Sequence, residues 1–88
     1  MPEYTAAEVL MSKLQLSRQE LALFEKENIL HPVHKNGRTF YSSRDCYDAK
    51  GILHFMREEN LPFAAAQERF YSRMEAVQRR GGTLQHAT

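Results

Sequence analysis

The sequence predicts a mainly α-helical fold of four helices with one small β-hairpin. Three kinds of pattern indicate this fold. A helix-start signal, in which a Ser or Thr is followed three residues later by an acid, occurs three times. An Asn-Gly pair between the second and third signals marks a tight turn, and two apolar stripes at helical spacing follow the third signal. The three signals are Thr5 with Glu8, Ser17 with Glu20, and Ser42 with Asp45.

Each signal is a capping box or a close relative of one. The hydroxyl accepts a hydrogen bond from a first-turn amide, and the acid reaches back to the cap while facing the positive end of the helix dipole. An apolar pair around each box is arranged as a hydrophobic staple, which would set the entry angle of the chain. These pairs are Tyr4 with Val9, Leu16 with Leu21, and Tyr41 with Cys46. We therefore expect helices to begin near residues 5, 17 and 42.

The hairpin is predicted within residues 31–41. Asn36 and Gly37 supply the two positive-φ positions of a type I′ turn. Pro32 has no amide hydrogen to donate to a ladder, so its strand is expected at a sheet edge or to begin just after it.

The third and fourth helices follow from the two stripes. The first contains Cys46, Ala49, Ile52, Leu53 and Met56, and the second contains Phe63, Ala66, Phe70, Met74 and Val77. Gly51 interrupts the first helix at a cost of about 1 kcal/mol relative to Ala, which suggests the close approach of a neighbouring helix. Pro62 suits the start of the last helix. We expect that helix to end at Gly81 and Gly82, which gives one domain over residues 1–80 and a flexible tail over residues 81–88.

Composition excludes several classes of protein. Eighty-eight residues with 42% hydrophobic content can form one core, and a net charge of +1 is too small to indicate nucleic acid by itself. The single cysteine excludes an internal disulfide, and neither a signal peptide nor a membrane span is visible, so we expect a cytoplasmic protein that does not bind membranes. The four histidines lack ligand partners at metal-site spacing, and no catalytic pairing is evident. We therefore expect neither an enzyme nor a metal or other cofactor.

The predicted elements follow one another in the order helix, short connection, helix, hairpin, helix, helix. The first half of this order is the plan of a winged helix-turn-helix, in which the second helix enters the major groove. Five segments in this order resemble successive signatures of the MerR family. They are residues 4–9, 17–21, 24–30, 36–41 and 60–63. The resemblance implies a DNA-binding regulator, typically a dimer held by a long coiled coil that is followed by an effector domain. Because the given sequence ends before such parts, we expect DNA binding without effector sensing.

The predicted DNA contacts lie at the start of the second helix and around the hairpin. Arg18 and Gln19 have side chains suited to guanine and adenine, respectively. Residues 31–44 contain three basic residues and no acid, a bias that suits phosphate. The predicted DNA-binding residues are Ser17, Arg18, Gln19, His34, Lys35, Arg38, Tyr41 and Arg44.

Two departures from the family pattern keep other functions open. Ala22 stands where the family commonly has an arginine in the recognition helix, and Thr39 replaces the usual wing arginine, with Arg38 one position earlier. The leading hypothesis is a sequence-specific regulator, acting as a homodimer or with a partner protein. A second hypothesis is an architectural factor, such as an excisionase or a small packaging-type subunit. The third is a protein-binding adaptor that has kept the fold and lost DNA contact.

Overall fold

The computed structural model describes the backbone of residues 3–87 and the side chains of residues 3–76. Its elements run β1 (Tyr4–Ala6), α1 (Ala7–Leu14), α2 (Arg18–Lys26), β2 (Val33–Lys35), β3 (Arg38–Ser42), α3 (Ser43–Glu58) and α4 (Phe63–Ala87). The predicted fold, a mainly helical winged helix-turn-helix with four helices, is confirmed over these residues.

The small sheet has one strand more than the sequence predicted. Its order is β1-β3-β2, and both strand pairs are antiparallel. Thr5 lies in β1 opposite Tyr41, and α1 begins at Ala7 after an N-cap residue, Ala6, whose side chain makes no capping bond. The predicted Thr5 cap is therefore wrong. Pairing with the central strand satisfies several backbone groups of residues 4–6 at once, whereas a cap would satisfy one.

The first predicted staple fails for the same reason. Tyr4 and Val9 are both exposed, at 52% and 42% of their surface. With Thr5 in a strand, no cap lies between them for a staple to support.

The turn between α1 and α2 is three residues long and closes without glycine. Gln15 adopts a left-handed conformation with φ 53°. Its amide donates to the Ser12 carbonyl at 3.4 Å, and the Leu16 amide donates to the Met11 carbonyl at 2.9 Å. This is the bond pair of a Schellman motif. It ends α1 and turns the chain directly into Ser17, the residue that caps α2.

The hairpin forms as predicted. Asn36 and Gly37 have φ values of 53° and 72°, the positive pair that a type I′ turn requires. Strand β2 begins at Val33, immediately after Pro32, and is an edge strand of the sheet. The missing amide hydrogen of Pro32 therefore removes no ladder bond.

The chain forms two compact units, residues 1–50 and residues 51–88. In the first unit the buried side chains come from every element except the edge strand β2. They are Ala6, Leu10, Leu16, Phe24, Ile29, Leu30, Tyr41, Asp45 and Ala49. Leu10 of α1 and Phe24 of α2 are both buried, and so is Leu16 in the turn between the two helices.

In the second unit the buried side chains are Ile52, Leu53, Phe55, Ala66 and Phe70. A Cβ atom placed on Gly51 would collide with Cδ1 and Cε1 of the Phe70 ring. The predicted close approach at this glycine is therefore confirmed, and the neighbour is the aromatic ring of α4. The apolar stripe of α4 is buried at Ala66 and Phe70, and the Val77 side chain lies outside the described part of the chain.

The predicted end of α4 at Gly81 and Gly82 is wrong, because the helix continues to Ala87. A glycine in a helix costs about 1 kcal/mol relative to alanine. That cost weakens a helix without ending it, and no proline follows to remove a backbone donor.

Candidate nucleic-acid interface

The start of α2 is built around a complete capping box. The Ser17 hydroxyl accepts from the Glu20 amide at 3.1 Å, and the Glu20 carboxylate accepts from the Ser17 amide at 2.9 Å. The predicted box is confirmed. Because these two side chains hold the first turn, the exposed side chains of Arg18 and Gln19 project from a fixed backbone.

The hairpin carries its polar side chains in cross-strand pairs. His34 lies opposite Thr39, and Lys35 lies opposite Arg38 on the other side of the turn. The Thr39 hydroxyl and His34 Nδ1 are 3.1 Å apart and hydrogen-bonded. Since successive strand residues point to opposite faces, Lys35 and Arg38 share one face of the hairpin, whereas His34 and Thr39 share the other.

Arg38 is engaged by an acid that lies far away in the sequence. Its guanidinium donates to Glu8 of α1 at 2.9 Å, and its charged end lies 5.3 Å from the centre of the Phe40 ring. The hydrogen bond to Arg38 lowers the pKa of the Glu8 carboxyl. The residues around the hairpin contain no acid, but the fold brings one to it from α1.

Tyr41 is placed differently from the other predicted contacts. Its side chain is buried, with 1% of its surface exposed, and its hydroxyl donates to Glu25 of α2. Burial is the larger cause and this hydrogen bond the second cause of a raised pKa of the Tyr41 hydroxyl. Tyr41, which the sequence predicted as a DNA contact, therefore joins β3 to α2 from a buried position.

Arg44 lies in the first turn of α3, where it is exposed and pairs with Asp48 at 3.3 Å. Burial raises the pKa of the Asp48 carboxyl, and the Arg44 charge opposes that shift. Arg44 is therefore exposed and forms an ion pair with Asp48, which lies one turn further along α3.

Asp45, predicted to complete a capping box with Ser42, has a different role. Ser42 does cap α3, because its hydroxyl accepts from the Asp45 amide at 3.2 Å. The buried Asp45 carboxylate instead accepts from the His31 amide at 2.7 Å and from His31 Nδ1 at 3.0 Å. This pair anchors the residue that precedes the hairpin to the start of α3. Nothing in the sequence pattern indicated it, since the two residues are fourteen positions apart.

The predicted residues thus form three exposed groups within the first unit, together with one buried residue. Ser17, Arg18 and Gln19 lie at the start of α2; His34, Lys35 and Arg38 lie on the hairpin; Arg44 lies at the start of α3; and Tyr41 is buried. Winged helix-turn-helix proteins use a helix start to contact bases and a hairpin to contact phosphates, and this chain has a capped helix start and a basic hairpin.

Comparison with protein families agrees with this geometry. The sequence matches the family model described as MerR HTH family regulatory protein over residues 4–73, most of the chain. The chain belongs to the MerR HTH family. Searches of curated proteins and of solved structures found no match.

Membership of the MerR HTH family makes this a DNA-binding regulatory domain of a non-catalytic type. Both departures from the MerR pattern lie on elements of the candidate interface, α2 and β3. Ala22 is exposed on α2, and Thr39 is half-buried and bonded to His34. Arg38 lies on the opposite face of β3 from Thr39, the position of the usual wing arginine.

Among the described residues, no group of three or more His, Cys, Asp or Glu side chains could hold a metal ion. In the same part of the chain, none of the helices combines the length and the apolar character that a membrane span requires.

Proposed function

We propose that this chain binds double-stranded DNA sequence-specifically as a transcription regulator, with α2 in the major groove and the hairpin along the phosphate backbone. The observation that carries the proposal is the start of α2. Its capping box, Ser17 with Glu20, orders the first turn and leaves the side chains of Arg18 and Gln19 exposed. In helix-turn-helix proteins the N-terminal residues of the second helix contact base edges.

The two exposed side chains differ in the bases they suit. Arginine can donate two hydrogen bonds to O6 and N7 of guanine, and glutamine can pair with N6 and N7 of adenine. Each such pair discriminates against a wrong base by about 1–3 kcal/mol. We therefore assign base reading to Arg18 and Gln19.

We assign phosphate contact to the hairpin and the start of α3. Lys35 and His34 are exposed beside the turn, and Arg44 is exposed in the first turn of α3. Arg38 can join them by leaving Glu8, because an ion pair between two exposed side chains is screened by solvent and weak. Tyr41 holds the hairpin against α2 and contacts no phosphate in this scheme.

The test begins with selection of a binding site from a random duplex library, followed by fluorescence anisotropy titrations of the selected duplex at several salt concentrations. Arg18→Ala should weaken binding to the selected duplex about 10- to 100-fold and relax its preference at one base pair. Lys35→Ala should weaken binding to all duplexes alike and reduce the salt slope by about 1.

Lys26→Ala is the matched control, since Lys26 is an exposed cation in the last turn of α2, away from the base-reading end. It should leave the base preference unchanged. The absence of salt-sensitive binding to any duplex at low ionic strength would contradict the proposal.

We further propose that the protein acts in the cytoplasm as a homodimer on a two-fold DNA site. The selected sequence tests the dimer, since two half-sites about 34–36 Å apart are expected for a symmetric pair of recognition helices. A footprint that extends head to tail along the DNA would instead support an architectural factor.

A specific observation also favours the adaptor function. Ala22 leaves α2 without a central arginine, and Glu8 partly neutralises Arg38. An adaptor would bind a protein partner with an affinity unchanged by Arg18→Ala and Lys35→Ala. The same two variants therefore separate the adaptor from both DNA-binding functions.

A further inference from the structure

A surface groove lies on the first unit between α1, β1 and the first half of α3. Its volume is about 390 Å³. The groove is lined by Thr5, Leu10, Lys13, Leu14, Ser43, Cys46, Tyr47 and Lys50. No residue proposed above to contact DNA is among them, and neither α2 nor the hairpin contributes to the lining.

The floor of this groove is apolar. Leu10 is 3% exposed, and Leu14 and Cys46 are half-buried. Burial raises the pKa of the Cys46 thiol, so the thiol is uncharged at neutral pH and behaves as a small hydrophobic contact. Water in contact with such a floor is displaced favourably by an apolar side chain.

The rim of the groove is cationic and aromatic. Lys13, in the last turn of α1, and Lys50, on α3, are both exposed, and Tyr47 is 55% exposed. No Asp or Glu is among the described residues that line the groove. The rim therefore carries two positive charges with no carboxylate inside the groove to balance them, and it favours an anionic ligand.

We propose that this groove is a docking site for an acidic amphipathic segment of a partner protein. One or two apolar side chains of the segment would occupy the floor formed by Leu10, Leu14 and Cys46. Its carboxylates would pair with Lys13 and Lys50, and the ring of Tyr47 would cover the apolar contact. Helix-in-groove recognition uses this combination of apolar anchors on one face and charges beside them.

The apolar floor favours a polypeptide over a second nucleic-acid contact. A duplex offers phosphates to the lysines, but its apolar groups are confined to the thymine methyls of the major groove. A groove of this volume falls within the size range of sites that enclose several apolar groups. Tyrosine at the rim suits a protein partner as well, since its ring buries apolar area while its hydroxyl stays hydrated.

The probe for the test is a synthetic peptide of about four helical turns, or about 14 residues, with Leu and Phe along one face and Glu elsewhere. It is titrated into the ¹⁵N-labelled full chain while backbone amide shifts are recorded. Saturable shifts are expected at residues 10–14 and 43–50. One control peptide carries Lys in place of Glu, and a second keeps Glu but carries Ala in place of Leu and Phe; both should bind at least about tenfold more weakly.

The variant K13E/K50E should weaken binding of the acidic peptide at least about tenfold, because it places like charges opposite each other. The matched control K26E/K35E makes the same change in net charge at two exposed lysines outside the groove, and it should leave peptide binding unchanged. All four positions are exposed, so both variants should keep the dispersed spectrum of the folded chain.

Three results would overturn the proposal. They are the absence of saturable shifts with the acidic peptide, equal binding of the lysine peptide, and loss of duplex binding in K13E/K50E without loss of peptide binding. The last result would make the groove a nucleic-acid contact. Failure of DNA binding in the wild-type chain would leave the peptide titration unaffected, so the two proposals fail separately.

Discussion

The Tyr41 hydroxyl donates a hydrogen bond to the Glu25 carboxylate, and this bond joins the central strand β3 to helix α2. Tyr41 is almost fully buried and Glu25 is half-buried. The pair therefore couples the element proposed to read bases to the element proposed to contact phosphate. A hydrogen bond to a charged acceptor in such a place contributes about 1.5–3 kcal/mol.

Tyr41→Phe should lower the free energy of unfolding by about 1.5–3 kcal/mol, because it leaves the half-buried carboxylate of Glu25 without this donor. Urea denaturation followed by circular dichroism measures the change. Glu25→Gln should cost less, since the amide oxygen still accepts from the tyrosine. A double variant whose loss equals the sum of the two single losses would show that the pair is not coupled.

The same hydroxyl should make stability fall at high pH. The pKa of Tyr41 is raised in the folded protein above its usual value near 10. Above pH 10 the unfolded chain loses this proton while the folded chain keeps it, so the stabilisation is complete below pH 10 and declines as pH rises. The difference in unfolding free energy between wild type and Tyr41→Phe should shrink by about 1.4 kcal/mol per pH unit above 10. A constant difference across that range would contradict this cause.

Asp45→Ala should destabilise the protein by about 2–3 kcal/mol, because the carboxylate accepts from both the amide and the ring of His31. His31→Ala should cost less, since the backbone amide at position 31 still donates to Asp45. Thermal denaturation of the two variants compares them directly. Equal losses would mean that the backbone bond contributes nothing.

Gly51→Ala should destabilise the second unit, although alanine favours a helix by about 1 kcal/mol. The new methyl group would overlap the ring of Phe70, which is 4% exposed and has little room to move. Overpacking of this kind costs about 1–3 kcal/mol. Gly51→Ala should lower the free energy of unfolding by less when it is made in a Phe70→Leu variant than when it is made in the wild type. Urea denaturation measures both differences. Lys50→Ala, at the exposed neighbouring position, is the control and should be nearly neutral.

Ser17→Ala should cost about 0.5–2 kcal/mol, since it removes the hydroxyl that accepts from the Glu20 amide. Ser17→Asp keeps an acceptor and should retain most of the stability. Amide hydrogen exchange at residues 18–20 should rise in the alanine variant alone. If exchange there is unchanged, the capping box does not order the first turn of α2.

The features that could be predicted from the sequence depend on residues that lie close together along the chain. The Ser17 capping box spans four residues, and the Asn36-Gly37 turn spans two. The apolar stripe that predicted α3 is also a local pattern, because helical spacing alone places Ala49, Ile52 and Leu53 on one face of the helix. Such patterns are local, so neighbouring residues suffice to predict them.

Some local signals were overridden by partners from elsewhere in the chain. Thr5 had the pattern of a cap, but pairing with Tyr41 made it part of a strand. Asp45 had the pattern of a capping acid, but its carboxylate binds His31. In both cases the competing interaction satisfies more backbone or buried polar groups than the local one would.

The sequence by itself determined the presence and the order of the four helices and the hairpin turn, because each of these follows from backbone preferences and apolar spacing over a few residues. Only the tertiary structure decided which exposed side chains remain available for DNA. It buried Tyr41 against Glu25, which is sixteen residues away, and it paired Arg38 with Glu8, which is thirty residues away. Contacts at such separations depend on how the elements pack together, and no pattern within one element specifies them.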